Sequence, residues 1–451
     1  MHTTDAFSSF AALDSYLDGL GIFRMKPGLE RIRLMIATLG LETPPFTVIQ
    51  VAGTNGKGST SAMLERLARE HGLATGLHLS PHFLSVRERV LVNGSPLPEA
   101  AWVALGNTLM RRGGEALTYF EFVTCLAMLA FAEAGVDLAV METGLGGSFD
   151  ATTALHADLV VFTPFALDHQ AVLGNTLEAI AADKAGAIRP GKPAVSARQR
   201  PEAWKELVRV AEERGAVLAE LPGTLQLPRM TGPFAGRLLA GPYQQDNARL
   251  GLFAWRTISG GAFPDSDAGP DCVSASEARA LAGAWLPGRM QKAAPRPPVS
   301  GEYAPCALGW PPLLLDGAHN SHGLAALGLA LAREGVAPLA VVFSCLEDKD
   351  LDAMLPQLRA LATGLIVVPP IADNPRAMPA ESLASRIGLN AVPAADLRGA
   401  VEIAAAHMAE RMPEVFEPRS PQAERHPLLI CGSLYLLGEF YALRPSLLGK
   451  R

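Results

Sequence analysis

The ten residues Val51-Ala52-Gly53-Thr54-Asn55-Gly56-Lys57-Gly58-Ser59-Thr60 constrain this chain more than any other stretch. They follow a short apolar run at 48–52 that reads as a strand and precedes a segment of helical period at 61–71. A glycine-rich turn between strand and helix lets backbone N–H groups close around phosphate oxygens. The helix N-terminus favours negative charge there, and Lys57 can neutralise β- and γ-phosphates. The run departs from G-x-x-x-x-G-K-[ST], because Val51 stands where the first glycine belongs and Gly58 separates Lys57 from the first hydroxyl. Its plainer reading is a Gly/Ser turn ahead of a helix. The order of strand, glycines, lysine and helix favours a nucleotide-triphosphate cradle.

Further apolar runs at 76–79, 138–142, 159–163 and 194–196 alternate with Ala/Leu-rich segments, the pattern of a mainly parallel sheet covered by helices. Ligands of such sheets bind beyond the carboxyl ends of the strands, where each of these runs meets polar or glycine residues. A second series follows at 313–315, 339–343, 365–368 and 428–431. Pro287-Gly288-Arg289 and the Pro-rich 295–298 lie between the series, so the expected division is into 1–293 and 294–451. The stretch 260–270 reads as a surface loop.

A chain of 451 residues is long enough for two cores, and 49% hydrophobic against 19% charged residues argues for a globular chain. A net charge of -6 lacks the basic footprint of a nucleic-acid binder and favours small-molecule substrates. The cysteines, Cys125, Cys272, Cys306, Cys345 and Cys431, are widely spaced and read as reduced thiols. The N-terminus has no secretory pattern, and the longest apolar run, 122–131, is too short to span a bilayer. The expectation is a cytoplasmic protein without membrane or nucleic-acid partners.

Other motifs occur along the chain: Ser80-Pro81-His82, Glu88-Arg89-Val90, Tyr119-Phe120-Glu121, Glu142-Thr143-Gly144-Leu145-Gly146-Gly147, Asp150-Ala151-Thr152 and Leu167-Asp168-His169. Leu173-Gly174-Asn175-Thr176, Asp183-Lys184-Ala185-Gly186, Tyr243-Gln244-Gln245-Asp246-Asn247-Ala248, Pro287-Gly288-Arg289 and Asp316-Gly317-Ala318-His319-Asn320 follow. Together with Gly53 to Ser59, this ordered set resembles the folate branch of the Mur ligase superfamily, the folylpolyglutamate synthase/dihydrofolate synthase type, over nearly the whole chain. The Gly-Ser after Lys57 is similar to that branch rather than to the peptidoglycan branch.

The resemblance implies an α/β fold of two domains, an N-terminal P-loop ATPase domain and a C-terminal Rossmann-like domain. It implies amide formation between L-glutamate and a pterin carboxylate through an acyl phosphate, with ATP and two Mg²⁺ ions, on dihydropteroate, reduced folates or both, by a monomer. By the same resemblance Thr54, Asn55, Gly56, Lys57, Gly58, Ser59, Asn247, Arg289 and Asp316 hold ATP. Ser80 and Glu142 ligand one Mg²⁺; His169 and a carbamylated Lys184 ligand the other, and Lys57, His169 and Lys184 carry the catalysis. Met25, Lys26, Pro27, Thr118, Tyr119, Phe120, Glu121, Phe149, Asp150 and Ala151 form the pterin site, and His319 binds glutamate.

Plainer readings stand beside these roles. Glu142 can be a cap partner, Ser80 a turn residue, His169 a structural histidine, Asn247 and Asp316 helix caps, Arg289 a solvated linker charge, and Phe120 part of an ordinary amphipathic face. On residues alone Lys184 reads as an exposed or salt-bridged helix lysine. The chain departs from the family pattern at Ser148 (usually Arg), Ser321 (commonly Pro) and Pro27 (usually apolar), which bears on substrate preference. Rival readings are another Mur-type amino-acid ligase, such as a UDP-muramyl ligase, for which 52 residues before Gly53 leave too little chain for an extra domain, and a non-catalytic nucleotide-binding relative.

Overall fold

The computed structural model describes residues 5–21, 26–225, 227, 241–260, 273–362, 364–372, 374–388 and 390–449. Met25 and most of the loop expected at 260–270 lie outside the described residues. In chain order the strands are β1 Thr47–Ala52, β2 Thr75–His78, β3 Val90–Val92, β4 Ser95–Pro96, β5 Leu138–Glu142, β6 Leu159–Phe162, β7 Ala194–Ser196 and β8 Leu218–Glu220. There follow β9 Gln291–Ala293, β10 Leu313–Leu315, β11 Ala340–Phe343, β12 Leu365–Val368, β13 Ala391–Pro393 and β14 Leu428–Cys431.

They form two sheets, ordered β4-β3-β2-β5-β1-β6-β7-β8 and β13-β12-β11-β14-β10-β9. Pairing is parallel throughout except for β3 and β4 at one edge of the first sheet and β9 at one edge of the second. The expected α/β fold with two parallel-sheet units is therefore present. The physical reason is legible in β1, where Val48 and Ala52 face one apolar cluster while Ile49 and Val51 face another. Burial on both faces gives near-continuous apolar strands and demands helices on both sides. The strands the sequence does not announce, β3, β4, β8, β9 and β13, have two or three residues each and lie at or beside sheet edges, too short to carry a period.

The apolar run at 122–131 belongs to the helix Tyr119–Ala134, buried under the first sheet. Among the described residues no helix is long and apolar enough to cross a membrane. The chain passes onto the second sheet at β9, and the Pro-rich segment after it is tied back by the bridge Arg296 to Trp310. The carboxyl ends of both sets of parallel strands converge. Loops after β1, β2, β5 and β6 meet loops after β10, β11 and β14 around one cavity.

Candidate active site

The floor of the cavity is the loop after β1. Gly53 sits at φ 147°, and a Cβ there would overlap Thr163 Oγ1. Gly56, at φ 93°, is the left-handed cap of the helix Lys57–Glu70, and its missing side chain makes room for Asn247. The helix starts four residues earlier than its period suggests, because glycine geometry rather than hydrophobic spacing sets its first turn. Lys57 Nζ donates to Thr54 O at 3.2 Å. Burial lowers its pKa, opposed by the field of Glu142, Asp168 and Asp150. Ser59 Oγ, two residues on, is buried without a hydrogen-bond partner.

Glu142, at the end of β5, is buried and accepts the Ser80 backbone N–H at 2.8 Å. Burial pushes its carboxyl upward, while Lys57 and that N–H oppose the shift. Such a carboxylate welcomes a cation. Ser80 precedes a cis peptide bond to Pro81. Among the described residues, no three His, Cys, Asp or Glu side chains converge as a ready-made metal cage.

His169 follows the β6 loop with a left-handed backbone, φ 51°. Partial burial holds its imidazole down to about 4, against the pull of Asp168. Lys184 is not the exposed helix lysine that its residues alone suggest: it is buried, and Nζ donates to Gly53 O at 2.9 Å. Burial, reinforced by Lys57, pushes it down to about 7, opposed by Asp183, Asp168 and Asp150. A close approach explains the placement, since a Cβ on Gly147 would overlap the Lys184 backbone. Ser148, where the family pattern has Arg, donates from Oγ to Asp183 O at 2.9 Å and so secures the same turn.

From the second sheet, Asp316 accepts the Tyr243 hydroxyl at 2.7 Å and the N–H groups of Met290 and Ala318 at 2.9 Å each. It organises the passage between the sheets rather than only capping a helix. Arg289 lies against Gly317, where a Cβ would meet its guanidinium. His319 Nδ1 lies 2.7 Å from Gly317 O and Nε2 3.5 Å from Asp168. Asn55 of the phosphate loop and Asn320 exchange amide hydrogen bonds at 3.2 and 3.0 Å.

At the far end, Thr118 and Glu121 form a capping box on the helix Tyr119–Ala134, and Glu121 pairs with Arg31 at 3.0 Å. Phe120 stacks on buried His78 with centroids 5.5 Å apart, and Gly144 leaves room for its ring. The Asp150 carboxylate accepts from the N–H groups of Gly144 and Leu145 at 3.0 Å each and from Thr152, so it shapes the loop that presents exposed Phe149. Burial raises its pKa against those bonds.

These segments surround one cavity of about 1000 Å³. Of the residues chosen from sequence, every one that the structure describes is on its wall, Lys26, Pro27, Gly58 and Ala151 included. Sequence reasoning assigned no role to Arg89, Asp168, Asn320, Tyr243 or Lys349, which line or brace the same cavity. Arg89 is buried, lies 5.2 Å over the Tyr119 ring and donates to His82 Nδ1 at 2.8 Å. Lys349 could have been found by the carboxyl-end rule, because it stands in the charged turn just after β11.

Comparison with known proteins agrees with this geometry. Residues 309–414 match the family model "Mur ligase, glutamate ligase domain". The chain is 32% identical to the dihydrofolate synthase/folylpolyglutamate synthase of Bacillus subtilis, covering 96% of this chain and 98% of that protein. It is 33% identical to the protein of the same name from Escherichia coli, covering 86% and 87%. Among solved structures, Mycobacterium tuberculosis folylpolyglutamate synthase complexed with ADP superposes with a TM-score of 0.82 at 29% identity, over 97% of this chain and 99% of that one. E. coli FolC in complex with DHPP and ADP gives 0.78 at 29% identity, over 98% and 99%. With the phosphate loop, the converging strand ends and whole-length similarity all in agreement, this chain belongs to the dihydrofolate synthase/folylpolyglutamate synthase family.

Proposed function

We propose that this chain uses ATP to join L-glutamate to a pterin-bearing carboxylate, acting both on dihydropteroate, as a dihydrofolate synthase, and on tetrahydrofolate, as a folylpolyglutamate synthase. The observation that carries the reading is the convergence of phosphate loop, buried carboxylate and aromatic wall on one cavity between two sheets. A carboxylate does not condense with an amine in water until one of its oxygens becomes a leaving group. In the proposed sequence the substrate carboxylate oxygen attacks the γ-phosphorus and the bond to ADP breaks. The glutamate nitrogen then attacks the acyl carbon, and collapse of the tetrahedral adduct expels phosphate.

Lys57 and the loop Thr54 to Ser59 neutralise and position the phosphates, with Asn247, Arg289 and Asp316 gripping the nucleotide from the neighbouring elements. Two Mg²⁺ ions fit the donor set, one on Ser80 and Glu142, the other on His169 and Lys184; few protein ligands suffice because phosphate oxygens and water complete the shell. Bound Mg²⁺ would offset repulsion between the carboxylate and the γ-phosphate. The orphaned Ser59 hydroxyl and the buried Glu142 carboxyl support this placement. Lys184, pushed down to about 7, presents a substantial fraction of neutral amine near neutrality, the form that adds CO₂ with release of a proton. Carbamylation would supply the anion that the second ion needs, and an intact mass lacking one added CO₂ in active enzyme would remove that assignment.

Lys26, Pro27, Thr118, Tyr119, Phe120, Glu121, Phe149, Asp150 and Ala151 take the pterin, and His319 the glutamate, in this reading; Met25 lies outside the described residues. The proposed division between 1–293 and 294–451 lies close to the strand β9, Gln291–Ala293, which pairs with the second sheet and so favours a boundary a few residues earlier. The protein acts as a cytoplasmic monomer on small molecules.

Mass spectrometry of products tests the reading, with purified protein, ATP, Mg²⁺ and L-glutamate and each acceptor supplied separately. Glutamate added to both acceptors is expected. Addition to one alone would restrict the activity, and none from folded protein would overturn it.

A further inference from the structure

We infer that Lys349 is a positioning residue for the reaction, holding Asp168, and through it the His169 loop, against the second half of the molecule. The inference rests on the ligase reading above. Asp168 is buried after β6, where three donors and the His319 ring meet its carboxylate. Lys349 Nζ reaches Oδ1 at 2.5 Å, Asn320 Nδ2 reaches Oδ2 at 3.0 Å, His319 Nε2 lies 3.5 Å from Oδ2, and the His169 backbone N–H donates to Oδ1 at 2.9 Å. Three of these come from the second sheet's loops.

Two of the three are fixed by helix starts. Asp350, next to Lys349, caps the helix Leu351–Leu361 by accepting the Ala353 N–H at 3.0 Å. Asn320 caps the helix Ser321–Glu334 through Oδ1, which leaves Nδ2 for Asp168 and for Asn55 of the phosphate loop. The second sheet thus presents a rigid set of donors. The target is less rigid: His169 has a left-handed backbone, a conformation that a non-glycine residue keeps only where its surroundings over-determine it. The Asp168 carboxylate, gripping the His169 N–H, provides that determination.

Lys349 and Asp168 have side-chain exposures of 6% and 5%, so both charges are largely withdrawn from bulk water at the cavity wall. Removing the ammonium leaves a mostly buried carboxylate under-compensated, and the loop is then free to relax. The predicted damage falls on the geometry of the reacting groups more than on substrate affinity.

Steady-state kinetics of the wild type, Lys349→Met, Lys349→Arg, Asp168→Asn and the double variant Lys349→Met/Asp168→Asn test this, together with thermal unfolding of each. Lys349→Met is expected to lower kcat about 100-fold while KM for ATP and for glutamate changes less than about threefold. Lys349→Arg should recover about a tenth of wild-type turnover or more, and the double variant should be no worse than the poorer single variant. Multiplying losses in the double variant would overturn the inference. So would wild-type turnover in Lys349→Met, or a raised KM for glutamate at unchanged kcat, which would make Lys349 a direct ligand of the amino acid. Should Lys349→Met fail to fold, the arginine and Asp168→Asn variants decide the matter by the same kcat and KM readouts. An inactive wild type removes the ligase reading and the inference together, whereas an active wild type with unaffected variants removes the inference alone.

Discussion

The two halves of the molecule bury polar groups differently. Among the described residues, the half built on the first sheet buries many charged and polar side chains, including Gln50, Glu65, His78, Arg89, Glu121, Glu142, Asp150, Asp168 and Lys184. In the half built on the second sheet the buried polar residues are Asp316, Asn320, Ser344, Ser433 and Arg444, with the Lys349 side chain 6% exposed; Asp316, Ser433 and Lys349 line the cavity in loops after strands. Burying polar groups is tolerable only when they are satisfied. Asp150 illustrates the network required: its carboxylate accepts the N–H groups of Gly144, Leu145 and Thr152 at 3.0, 3.0 and 2.9 Å and the Thr152 hydroxyl at 2.6 Å. The first half is organised around the reaction, whereas the second is an apolar plate with one polar rim that completes the site.

The strongest way to break this contrast is to compare charge removal on each side. Lys57→Met is expected to reduce kcat about 1000-fold, on the order of 4 kcal/mol, as for loss of a principal electrostatic stabiliser of the transition state. Quench-flow or steady-state ADP release measures it, and turnover within tenfold of wild type would place the chemistry elsewhere.

Acid should expose the polar interior of the first half. Burial pushes His78 down to about 4, and the neutral ring is satisfied by Arg89 O at 3.1 Å and the Thr124 hydroxyl at 3.3 Å. Because the folded pKa lies below the unfolded value near 6.5, the unfolded chain takes up the proton first. Stability is complete above pH 6.5 and falls as pH drops towards 4. The loss is about 3 kcal/mol from this group, and denaturation midpoints against pH should be flatter for His78→Gln. Equal slopes for the two proteins would show that His78 does not carry the acid sensitivity.

Asp316→Asn tests the rim of the second half. The neutral amide keeps part of the hydrogen bonding to Tyr243, Met290 and Ala318, so kcat/KM for ATP should fall about 30-fold, roughly 2 kcal/mol, mainly through KM. A kcat loss as deep as that of Lys57→Met would erase the distinction between the halves. The smallest effect is expected from Asp396→Ala, which removes the cap of the helix Leu397–Arg411, away from the cavity, and costs about 1 kcal/mol of stability, readable as a lowered Tm with turnover nearly intact.

Short-range pattern carried much of the fold. The strands at 138–142, 194–196, 313–315, 365–368 and 428–431 form with the bounds that their apolar runs suggest, three others shift by one residue at one end, and the strand expected at 76–79 shifts by one residue at both. Edge strands of two or three residues escaped because pairing, not composition, creates them. The caps at Thr176 and Asn320 are seen in the structure, where each side chain accepts an N–H of the first helical turn. The start at Lys57 depends on Gly56 adopting a left-handed backbone.

Sequence by itself determined that two parallel α/β units occur in series, that a glycine-rich turn with Lys57 follows the first strand, and which loops carry the polar residues of the cavity. These are properties of neighbours along the chain: period, glycine placement and strand ends. Only the tertiary structure decided that Lys184 is buried beneath Gly53, that Asp316 braces the passage between sheets, and that Lys349 meets Asp168 across a gap of 181 residues. Such outcomes depend on desolvation and on donors brought together by folding, and neither quantity exists until the two sheets have met.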